Sequence, residues 1–108
     1  MEDAQLLRTA ADRLEALAAR TTAGDWRIGG LLATRPEVIA HRPEGGTEHV
    51  AEARAASAAW IAALSPALAG SLAGWLRAAA GHSPAEPAAV EVARTLLDRL
   101  PGTGRLNR

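Results

Sequence analysis

Apolar residues recur along this chain with two different periods, and each change of period marks a boundary. From Asp3 to about Arg20, Leu6, Leu7, Ala10, Leu14, Leu17 and Ala18 return every three or four positions, while Arg8, Asp12, Arg13 and Glu15 lie largely on the other side. That spacing predicts an amphipathic helix. Glu2 and Asp3 suit the positive end of its dipole and Arg20 the negative end, and Thr21 through Gly24 stops it. The period then shortens. Trp26 and Ile28 flank Arg27, Gly29-Gly30 is a two-residue turn signal, and Leu31 to Thr34 follows. Beyond Arg35-Pro36-Glu37, Val38 to Arg42 reads as another strand. The pattern predicts a small antiparallel sheet of two or three strands, which needs helices against one face to be stable.

After Pro43 to Gly46 the helical spacing returns. Thr47 is a candidate N-cap for a helix on which Val50, Ala53, Ser57, Trp60, Ile61 and Leu64 share a face, with Glu48, Glu52 and Arg54 in solvent. Ser65 can cap a second helix that starts at Pro66. Its stripe is Leu68, Leu72, Trp75, Leu76 and Ala79, interleaved with Ala67, Gly70, Ser71 and Gly74, and Gly81 ends it. Ser83-Pro84-Ala85-Glu86 has the form of a capping box with proline at the first helical position. Val90, Ala93, Leu96, Leu97 and Leu100 then make a last stripe, closed by Pro101-Gly102. The fold class expected is therefore α+β and mainly helical: one helix, a small antiparallel sheet, then three helices. In this expectation all four helices pack on one face of the sheet. Residues 1–102 form one globular domain and residues 103–108 a disordered tail.

Composition changes the picture of the core. Hydrophobic residues make up 48% of the chain, but many are alanine, and Phe and Tyr are absent. The bulk must come from Leu, Ile, Val and the three tryptophans, so Trp60 and Trp75 are assigned to the core. The charges balance, with 12 arginines against 12 acids and no lysine. A net charge of zero argues against a nucleic-acid or polybasic membrane binder and favours association with protein. With no cysteine there is neither a disulfide frame nor a thiolate metal site. The N-terminal segment has no signal-peptide character, and no run approaches the roughly 18 apolar residues of a membrane span. A cytoplasmic protein is expected.

Candidate chemistry is sparse. His41, Glu44, Glu48 and His49 bring two imidazoles and two carboxylates near one loop, a ligand set that first-row metals accept. Their spacing matches no metal motif, and the plainer reading is a solvated loop. His82, just past a helix end, serves the helix dipole more readily than catalysis. Ser57, Ser65, Ser71 and Ser83 lie in no nucleophile-elbow pattern. The glycine pairs 29–30 and 45–46 lack the phosphate-loop and dinucleotide signatures. Gly70 and Gly74 form a GxxxG pair, read here as close helix packing inside the domain. No cofactor is expected.

Two short matches point to a family. The first helix followed by Thr22-Ala23-Gly24-Asp25-Trp26 is similar to the opening of the Ead-like phage and prophage proteins, which usually carry proline where Ala23 stands. Short strands then lead to Ser57-Ala58-Ala59-Trp60-Ile61-Ala62-Ala63-Leu64-Ser65-Pro66, which resembles the family's Asp-Ala-x-x-Ile-Ala-x-x-x-Pro pattern with Ser57 in place of the acid. The resemblance runs over roughly residues 5 to 80. It implies a small accessory or early gene product without catalytic residues. Together these readings lead us to expect a non-enzymatic interaction or regulatory protein that forms homodimers. If the helix after Pro66 is exposed, its interface residues are Leu68, Gly70, Gly74 and Trp75. The alternative is a small-ligand or metal-binding module built from the sheet and the 41–49 loop.

Overall fold

The computed structural model describes residues 1–30 and 35–102. In chain order the elements are α1 (Asp3–Ala18), β1 (Asp25–Gly29), β2 (Glu37–His41), β3 (Thr47–Glu52), α2 (Ala55–Ala63), a 3-10 turn over Pro66–Leu68, α3 (Ala69–Ala80) and α4 (Pro87–Arg99). This is the α+β order expected from the sequence. Two compact units can be distinguished along the chain, Met1–Arg20 with Ala69–Arg108, and Thr21–Leu68. The strand expected over residues 31–34 and the tail at 103–108 lie outside the described residues.

The first unit is helical, with α1 packed against α3 and α4. Its fully enclosed side chains are mostly alanine: Ala10 and Ala11 from α1, Ala73, Ala79 and Ala80 from α3, and Ala89 and Ala93 from α4. Leu7, Leu76 and Val90 supply the bulk between them. Small residues at a helix contact draw the axes toward the near end of the roughly 8–10 Å range. The gain comes from close packing along the seam, because each methyl group buries little surface. On α4 the buried positions Val90, Ala93 and Leu100 follow the stripe read from the sequence. On α3 the buried row is Ala69, Ala73, Leu76 and Ala80, so Trp75, expected inside, is displaced outward by one step of the helix.

The second unit is a three-stranded antiparallel sheet in the order β1-β2-β3, with α2 packed on β1 and β2. Val38 and Ala40 are its buried strand positions and Ala58 is that of α2. The strand β3 corrects the sequence reading, which placed Thr47 to Leu64 in one helix. Two things favour the strand. Gly45, at φ +105°, lets the chain reverse, with Arg42 N–H donating to Gly46 O at 2.8 Å. The backbone of residues 47–52 then satisfies β2, whose other edge is taken by β1. Pairing of this kind outweighs the local helix propensity of Glu48 to Ala53. A register shift at Val38/Ile39 accommodates the extra residue.

Two helix starts also move. α4 begins at Pro87 rather than Pro84, and its N-cap is Glu86, which makes no side-chain cap bond. A residue before proline is pushed toward extended backbone, and Glu86 sits at φ −63°, ψ 127°, so the capping-box reading of Ser83 fails. At the other proline, Ser65 does act as expected: it is buried, and its Oγ accepts from Ala67 N–H at 3.4 Å. Pro66 opens the 3-10 turn, and α3 follows at Ala69.

The Thr22 to Trp26 motif has a structural explanation. Trp26 Nε1 donates to Thr22 O at 3.0 Å, folding the segment over the start of β1. Gly24 lies at φ +118°, and a Cβ there would stand 2.8 Å from His41 O. Gly24→Ala should therefore destabilise the protein by about 1–3 kcal/mol, read as a lower denaturation midpoint. In the helical unit, Ala73→Leu should cost about 1–3 kcal/mol by overfilling the seam. The same change at exposed Ala78 should stay within about 0.5 kcal/mol.

Candidate functional site

The four residues with metal-ligand chemistry are not gathered. In the β2–β3 ladder, His41 stands opposite Thr47 and His49 opposite Ile39. Neighbouring strand residues point to opposite faces, so Glu48 and His49 cannot serve one ion. Glu48 is taken by Arg42 in an ion pair across the turn. His49 Nδ1 lies 3.5 Å from Glu37 Oε2, and Glu44 is exposed on the turn itself. Among the described residues no three His, Asp or Glu side chains come together as a metal site. The 41–49 loop is thus a hairpin turn held by an ion pair.

What the fold does present is apolar surface. Trp60 is 68% exposed, Leu64 49% and Leu68 42%, all on the sheet-bearing unit, where Ile28 is also half open. On the helical unit Trp75 is 39% exposed. Gly70 and Gly74 lie beside it in sequence on the open side of α3, and a methyl group built on either would meet no neighbouring side chain within 4 Å. The GxxxG pair therefore does not serve packing inside the domain, and Trp60, Leu64, Leu68 and Trp75 are not core. The stripe read on the helix after Pro66 is split by the fold: Leu76 and Ala79 are buried, while Leu68 and Trp75 are exposed. Periodicity could not separate them, because alanines at neighbouring positions form an equally regular row.

No charged residue occurs between Arg54 and Arg77. The stretch Ala55–Ala80 passes the length and composition test for a membrane span, with a mean hydropathy of 1.4 in its most apolar window, of which 17% is buried. Gly, Ser and Pro interrupt the apolar residues there but bring no charge.

At the end of the uncharged stretch, Arg77 joins α3 to α1 with Asp12 at 2.8 Å and Glu15 at 2.5 Å. The hydrogen bond from Arg77 holds the Glu15 carboxyl below the usual glutamate range, and the two carboxylates raise the guanidinium above its own. The cluster is exposed, so it orients α1 and α3 more than it stabilises them.

No family model, curated protein or solved structure matches the chain.

Because the Glu15 pKa is lowered in the folded state, its contribution is complete above the unfolded value of about 4.3 and is lost as pH falls through the folded value. Urea midpoints measured from neutral pH down to about pH 3 should fall less steeply in Glu15→Gln than in the parent protein. Equal slopes would show that the pair does not contribute.

Proposed function

We propose that this chain is a non-enzymatic protein–protein interaction or regulatory accessory protein of the phage and prophage type, and that it works by associating with a second copy of itself. The observation that carries the reading is the outward placement of Trp60, Leu64 and Leu68, large apolar groups on a stretch without a single charge. Contiguous exposed apolar groups mark interaction surfaces, and tryptophan is among the commonest interface anchors. An uncharged face meets its own copy with no like-charge repulsion, so it suits an isologous contact. Gly70 and Gly74 leave open room on α3 beside Trp75, where a partner backbone can approach. The Thr22–Trp26 and Ser57–Pro66 resemblances support the phage-type context.

Sedimentation equilibrium should show a dimer that weakens by at least about thirtyfold in Trp60→Ser/Leu64→Ser, with little change in melting temperature because both side chains are exposed. A strict monomer across the accessible concentration range would overturn the reading. So would flotation of the protein with neutral phosphatidylcholine vesicles that is abolished by the same substitutions, since a bilayer is the competing occupant of so apolar a stretch.

A further inference from the structure

We infer that the helical unit carries a binding site for a small organic cation of the quaternary ammonium class. The site is an open cleft of about 380 Å³ where α3 ends and the chain turns toward α4, lined by Trp75, Ala78, Ala79, His82, Pro84 and Glu86. Its size falls within the range of ordinary small-molecule sites. The lining residues on α3, Trp75, Ala78 and Ala79, share one face with buried Ala79 as the floor, and His82 follows in the turn just past the helix end.

Two features of the cleft favour the same kind of ligand. The Trp75 indole is open to solvent and supplies the aromatic face that attracts a cation through its quadrupole. The Glu86 carboxylate supplies the counter-charge, and no arginine lines the cleft. Glu86 is the N-cap of α4 yet makes no side-chain cap bond, and it is in no ion pair among the described residues. The helix ends do not set the sign, because α3 closes here with its negative end and α4 opens at Glu86 with its positive end. An anion would meet Glu86, and a neutral apolar ligand would leave the carboxylate without a partner. A methylated ammonium gains from both the indole and the carboxylate. It is also weakly hydrated, so it gives up little to reach an aromatic wall.

Because Trp75 also borders the surface proposed for self-association, the site is tested on the Trp60→Ser/Leu64→Ser protein as well as on the parent. The probe is tetramethylammonium chloride, followed by the indole N–H resonance of Trp75 in nitrogen-15-labelled protein at low salt. The resonance is assigned by its loss in Trp75→Phe. We expect a saturable shift with a millimolar dissociation constant, weakened about threefold to tenfold in Glu86→Gln. Neopentyl alcohol, a neutral water-soluble analogue with the same quaternary centre, should give no shift. A parallel titration with a short trimethyllysine peptide identifies the natural source of the cation. Binding about tenfold tighter than the free ion assigns the site to a protein side chain, and equal binding assigns it to a free small molecule. An unmoved Trp75 resonance overturns the inference, as does an equal response to neopentyl alcohol or an unchanged affinity in Glu86→Gln with its circular dichroism intact.

Discussion

The alanine seam among α1, α3 and α4 is the constraint on which the rest of the structure depends. Ala10, Ala11, Ala73, Ala80, Ala89 and Ala93 are all buried, and side chains this small permit the helices to meet only by close approach. Close approach leaves no room in the seam for an indole. Once the alanine row of α3 is turned inward, Trp75 must face solvent, and Gly70 and Gly74 come to the surface with it. The open tryptophan, the bare helix surface and the cleft beside His82 therefore share one cause. A core built from Leu and Trp on the same helices would have produced a bulkier and less featured molecule.

Much of this was legible in the sequence, and the failures are specific. The first and last helices and two of the strands followed from periodicity alone, since each pairs an apolar row with a polar one. The inward side of the helices between Ala55 and Ala80 did not, because nearly every position there is small or apolar. Trp60 was placed inside on the assumption that the largest side chains fill the core, yet Ala58, two positions away, is the buried residue of α2. Thr47 to Glu52 had helix-forming composition, but the strand edge of β2 was available to it, and sequence patterns carry no record of such an edge. At Glu86 the signal was present and misread: the residue before Pro87 is held extended, so the second proline of the pair, not the first, opens α4.

The candidate sites divide in the same way. His41, Glu44, Glu48 and His49 are neighbours in sequence, but strand alternation and the Arg42–Glu48 pair separate them. Trp75, His82 and Glu86 were each noted in the sequence for another role, in the core, at a dipole and in a cap. They come together because α3 ends at Ala80 and the chain runs through Pro84 before α4 begins. The contrast is physical: local spacing describes positions along one element, whereas a cleft is formed where elements end.

The division of the chain into Met1–Arg20 with Ala69–Arg108, and Thr21–Leu68, also has a kinetic consequence. Arg77 and Asp12 are bonded across 65 residues of sequence, so the helical unit closes only after a long excursion of chain. The entropic cost of such closure grows with the logarithm of the free loop. The inserted unit pairs strands that follow one another in sequence, and contacts between near neighbours in sequence form early. A folded insert shortens the free chain between α1 and α3, which favours an order of events in which the middle of the sequence folds first and its two ends meet last. Substitutions at Gly24 and Gly45 would then act on the folding rate of the helical unit, although both lie outside it.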